Sequence, residues 1–163
     1  MNQKYNFIEK LATKLIPKFQ IIELSLIAVI IATSTFNLFT KKSIDPVFTI
    51  TIGLLSTLYF VMAFAINEKV KENIKAILVG KLSGLGLAVL LLGVLFSFNH
   101  IPRNGQMLFI GTATNLIIMF YTLFNKSDII ELRKYFRPIF IRSLIYGSIG
   151  IIVIMKQYQL IDF

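Results

Sequence analysis

Residues 76–98 read AILVGKLSGLGLAVLLLGVLFSF, a long apolar run with one charge, Lys81, near its start. A helix rises 1.5 Å per residue, and about 20 apolar residues are needed to cross the ~30 Å hydrocarbon layer of a bilayer. This run is long enough. Working outward from it, four more segments share its character. Residues 19–39 carry no charge except Glu23, 47–66 and 107–124 carry none, and 138–155 carry Arg142. In lipid, backbone N–H and C=O groups must be satisfied within the protein, so each run is expected to be a helix. The expected fold is an all-α integral membrane protein with about five transmembrane helices, and the lipid bilayer is its first partner.

Composition agrees. The chain is 56% hydrophobic and 15% charged, with a mean hydropathy of +0.76. Its net charge of +9 comes from 17 Lys and Arg against 8 Asp and Glu. Those cations occupy short gaps between apolar runs, which is the membrane pattern rather than the basic face of a nucleic-acid binder. Cys is absent, which removes disulfides, thiolate metal sites and cysteine nucleophiles. Trp is absent too, so an interfacial aromatic belt would draw on Tyr59, Tyr121, Tyr135, Tyr146 and Tyr158. No A-x-A site follows the first apolar run, and cleavage of a signal peptide is not expected.

The cations also orient the chain. Lys4, Lys10, Lys14, Lys18, Lys69, Lys71, Lys75, Lys81, Lys126, Arg133, Lys134, Arg137 and Arg142 fall on one side, 13 in all, and Lys41, Lys42, Arg103 and Lys156 on the other. By the positive-inside rule the amino terminus is cytoplasmic and, with five spans, the carboxyl terminus periplasmic. The layout expected is a cytoplasmic amphipathic segment over 1–18, a hairpin over 19–66, a cytoplasmic connection over 67–75, and a second hairpin over 76–124. A basic cytoplasmic connection over 125–137 and a fifth helix with a short tail over 138–163 complete it. Phe7, Ile8, Leu11 and Leu15 recur at helical spacing before Pro17, as an interfacial helix requires. Asp128 and Glu131 are spaced as a helix cap and its partner.

The two hairpins repeat one another. Phe36-Asn37, a connection with Pro46, Ile52-Gly53, Ser56 and Thr57 are matched in order by Phe98-Asn99, a connection with Pro102, Ile110-Gly111, Thr114 and Asn115. Duplicated membrane proteins are often transporters, but no interrupted helix of the transporter kind is evident.

Within the second copy, Gly93-Val-Leu95-Phe96, His100-Ile-Pro102 and Met107-Leu108-Phe-Ile110-Gly111 resemble the transmembrane hairpin of the GldL family. That family supplies the inner-membrane motor subunit of gliding motility and type IX secretion in Bacteroidetes. The resemblance covers about residues 86–124, and it implies a shared hairpin and a bacterial inner membrane of that group. The departures are specific. Arg103 stands where the family has glycine, and Asn115, with Thr57 in the first copy, stands where it has the glutamate thought to respond to the proton gradient. Neither Asn nor Thr exchanges a proton at physiological pH. The long cytoplasmic region of the motor subunit has no counterpart either. The resemblance therefore argues against motor function.

Charges inside a span are functional candidates. Glu23, Lys81 and Arg142 lie about five residues into helices running the same way, so at 1.5 Å per residue they share a depth of roughly 7 Å. The default for Lys81 and Arg142 is to snorkel to the headgroups. Pairing with Glu23 is the alternative, and an ion or proton path a third. Asn115 is the leading mid-membrane polar residue, expected first as an interhelical hydrogen bond and second as a contact in a polar path. Gly80, Gly84 and Ala88 repeat every four residues, as do Ser143 and Gly147, and such small faces let helices approach, within one chain or between copies. His100, the single histidine, is expected to be a turn residue. No catalytic constellation, metal-ligand set or phosphate-binding loop is present, so no enzyme activity and no cofactor are expected. The function expected is a non-catalytic assembly or accessory component of an envelope complex, partnered by copies of itself or other membrane subunits. A small channel or transporter with a path near Asn115 is the rival.

Overall fold

The computed structural model describes residues 7–40, 46–65, 72–101, 104–125 and 130–158. All of the regular structure there is helical: α1 (Phe7–Leu15), a 3-10 turn (Ile16–Lys18), α2 (Phe19–Thr40), α3 (Pro46–Met62), α4 (Ile74–Phe98), α5 (Asn104–Phe124) and α6 (Ile130–Gln157). By length and composition α2, α4, α5 and α6 suffice to cross a membrane, and α3 is a shorter apolar helix. The chain is an all-α polytopic membrane protein.

Local chemistry sets the boundaries. Pro17 has no N–H to donate and its ring crowds the carbonyl four residues back, so α1 passes into α2 through the 3-10 turn. Asn73 caps α4, its side chain accepting from the Ala76 N–H at 3.0 Å. At the other end of α4, His100 takes a left-handed backbone, φ +53°. The Ile101 N–H donates to the Phe96 carbonyl at 2.9 Å and the His100 N–H to that of Ser97 at 3.2 Å, which is a Schellman stop. His100 is thus a turn residue.

Three boundaries differ from the sequence expectation by three residues or more, and the first is the end of α3 at Met62 rather than 66. α5 begins at Asn104 rather than 107, and α6 begins at Ile130, so much of the expected 125–137 connection is helix continuous with the fifth span. Pro138 sits inside α6, in its third turn, where it removes one backbone donor without ending the helix. The cap at Asp128, the prolyl connection at Pro102 and Arg103, Lys41, Lys42, Lys69, Lys71 and the tail beyond 158 lie outside the described residues.

α4 is the centre of the bundle, in contact with α3, α5 and α6, while α2 rests mainly on α3. Small residues bring the central helices together. A Cβ on Gly84 would lie 2.8 Å from the Ala63 Cβ and 2.9 Å from the Tyr59 carbonyl oxygen, so α3 and α4 meet backbone to backbone. A Cβ on Gly93 would lie 2.6 Å from the Leu108 nitrogen, and one on Gly111 2.5 Å from the Leu90 nitrogen, which joins α4 to α5. One apolar core runs through Leu55, Tyr59, Leu87, Leu90 and Leu108. A second gathers Val79, Ile118, Phe136 and Ile139 where α4, α5 and α6 meet. α2 stands apart: among its described side chains only Phe19 and Glu23 are buried.

Candidate functional site

The start of α2 faces the inner part of α6 across a gap that long side chains bridge. Phe19 and Glu23 are four residues apart on one face of α2, and Arg142 and Tyr146 are four apart on one face of α6. The Arg142 guanidinium donates from Nε to Glu23 Oε1 at 2.8 Å and from Nη2 to Oε2 at 2.6 Å, a two-pronged charge-assisted pair. The Tyr59 hydroxyl, arriving from α3, donates to the same Oε1. The Phe19 ring lies 4.8 Å under the guanidinium carbon and meets Tyr59 edge-on at 5.8 Å. Tyr146 meets the other side of Tyr59 edge-on at 5.7 Å.

The Glu23 side chain is 8% exposed and that of Arg142 21%. A lone charge at this burial would be prohibitive, and two charges with three hydrogen bonds between them and Tyr59 are not. The cluster therefore ties α2, α3 and α6 at one point. Arg142 has five N–H donors; Glu23 takes two of them. Arg142 also borders two cavities. A smaller one of about 160 Å³ reaches toward Gly80 and Tyr135. A larger one of about 700 Å³ runs between α2 and α6 over α3 and α4.

Of the charges singled out in the sequence, Glu23 and Arg142 come together, and snorkelling does not describe Arg142. Lys81 is exposed. Asn115 is fully enclosed, and its amide donates to the Gly111 carbonyl of its own helix at 2.7 Å instead of crossing to another. Its side-chain oxygen has no hydrogen-bond partner, nor have the hydroxyls of Thr112, Ser143 and Tyr146, among the described residues. Gly84 and Ala88 pack on α3, Ala88 through a 2.9 Å hydrogen bond from Ser56 to its carbonyl. Gly80 faces the Tyr135 hydroxyl and Gly147 faces Leu116, while Ser143 is wholly buried. These small faces serve packing within the chain.

Tyr59 and Tyr146 correct the aromatic-belt expectation, since both are buried and belong to the cluster. The four-residue spacings Phe19/Glu23 and Arg142/Tyr146 were available as a signal. Nothing in the sequence pointed to Tyr59. Among the described residues no three His, Asp or Glu side chains gather as a metal site would require.

Fold and site together define a polytopic helical membrane protein with a buried ion pair clamping α2, the most exposed of its membrane-length helices. No protein-family model, curated protein or solved structure matches the chain.

Proposed function

We propose that the chain is a non-catalytic component of a larger assembly in a bacterial inner membrane, joined to its neighbours through α2. The observation that carries this reading is the exposed outer face of α2, opposite the stripe of Ile22, Leu26, Ile27 and Ile30 that rests on the core. Ser25, Ala28 and Ala32 are all exposed, with Ile21 and Phe36 beyond them on the same helix. In lipid, where apolar surface alone does not drive helices together, small residues on an open face are what a partner helix packs against. The small faces of α4 and α6 singled out above are already used inside the chain, which favours α2 as the docking element. By the positive-inside rule its clamped end is cytoplasmic.

The channel or transporter reading has less support. Asn115 is enclosed and bonded to its own helix, and the same arrangement speaks against a proton-driven motor at that position.

The test uses the Cys-free background. Single variants Ala28→Cys and Ala32→Cys, oxidised in native membranes, are expected to form disulfide-linked species or to be shielded from a membrane-permeant thiol reagent. Ile117→Cys on α5 serves as the exposed control. Gentle purification of the tagged protein then gives the mass and partners of the complex. A monomer without partners, with Ala28→Cys as reactive as Ile117→Cys, would overturn the reading.

A further inference from the structure

We propose that the cleft between α2 and α6 holds one acyl chain of an anionic phospholipid, its phosphate at the Arg142 end. The inference concerns a ligand and does not rest on the assembly role.

The backbones of α2 and α6 barely approach one another, and the Glu23–Arg142 pair spans the gap at one end only. Beyond the pair a cavity of about 700 Å³ continues between Leu24, Ile31, Ile145 and Ile149, floored by Leu55 and Leu91. Leu24 is 66% exposed, Ile31 60%, Ile145 52% and Ile149 40%, so the cavity opens sideways along a surface that faces lipid in a bilayer.

Size selects the occupant. The volume lies within the roughly 300–1,000 Å³ of small-ligand sites. A transmembrane helix about 10 Å across and 30 Å long displaces on the order of 2,000 Å³, so a second copy's helix does not fit. Length agrees with a lipid tail. From Glu23 to Ser34, both of which line the cavity, the rise along α2 is roughly 16 Å, close to the ~15 Å of one leaflet.

Charge selects the head. Arg142 closes the polar end with donors that Glu23 does not use. Lys18, just before α2, and Arg137, just before the cavity-lining Pro138, are both exposed at that end. Glu23 offsets the charge of Arg142, so the positive charge that matches a phosphate and favours an anionic headgroup over a zwitterionic one is that of Lys18 and Arg137.

The experiment reconstitutes the intact protein in phosphatidylglycerol vesicles carrying a trace of phosphatidylglycerol with a photoactivatable acyl chain. Labelled residues are mapped by mass spectrometry. Labelling is expected to concentrate on Leu24, Ile31, Ile145 and Ile149 over Phe109 and Ile117, which are more exposed, on α5. Ile145→Trp, which fills the cleft from an exposed position, should remove that excess, and Ile31→Trp repeats the test from the other wall. The same photolabel on phosphatidylcholine should mark the cleft about fivefold less, the factor that one nearby base contributes. Three outcomes would each overturn the proposal: labelling of the cleft no greater than of α5, labelling unchanged in both Trp variants, or equal labelling by phosphatidylcholine.

Discussion

The two hairpins share an order of residues and differ in how tightly they close. In α4–α5, glycines at 93 and 111 place backbone against backbone. In α2–α3, Gly53 occupies the place of Gly111 and has nothing within 4 Å of where a Cβ would be. Counting back from Asn37 as from Asn99, α2 carries Leu24 and Ile31 where α4 carries Gly86 and Gly93. Lipid tails are as apolar as leucine, so a helix pair in a membrane closes only where small residues permit close contact. With that permission withdrawn, the first hairpin stays open and is secured by charge instead. Glu23 has Leu85 as its counterpart in the second copy, so the clamp belongs to the open hairpin alone.

The comparison can be broken most forcefully at the clamp. Arg142→Met leaves Glu23 buried without its cation and should destabilise the protein by about 3–5 kcal/mol, read from thermal unfolding in mild detergent. The double variant Glu23→Leu/Arg142→Met should recover most of that loss, since apolar partners of similar volume can replace a buried pair. A double variant as unstable as the single one would mean that charge is not what holds α2.

Next in size is the glycine contrast. Gly111→Ala drives a methyl into Leu90 and should cost about 1–3 kcal/mol. Gly53→Ala meets open space and should stabilise by up to about 1 kcal/mol through helix propensity. Equal effects at the two sites in the same unfolding assay would erase the distinction between the hairpins.

A smaller effect sharpens the closed hairpin. His100 holds a left-handed conformation at the end of α4, and His100→Gly should gain about 1 kcal/mol by removing that strain. A loss in melting temperature would show that the imidazole does more than turn the chain. Smallest of all, Asn115→Ala removes one bond within its own helix and should change stability by about 0.6 kcal/mol. Thr57→Ala, exposed in the open hairpin and bonded likewise to the Gly53 carbonyl, should do less. A loss of several kcal/mol at Asn115 would give it a role that its enclosed position does not explain.

Much of this molecule was legible from its residues. The apolar runs located the helices to within a few positions, and the amphipathic spacing before Pro17 located α1. α6 was read as two pieces because its basic first turns and Pro138 resemble a loop boundary, whereas in the folded chain the helix carries this proline in its third turn at the loss of one backbone donor. In the candidate site, the shared depth of Glu23 and Arg142 brought pairing into view but did not separate it from snorkelling. Tyr59 escaped because nothing local marks a tyrosine that a neighbouring helix turns inward.

By itself the sequence determined that the chain is helical and built to span a membrane, because in lipid long apolar runs leave the backbone no partners except its own. Only the tertiary structure decided which helices close and which stand apart. Apolar side chains in lipid carry no preference for one neighbour over another. The choice fell to volume at Gly93 and Gly111 and to an ion pair between residues 119 positions apart.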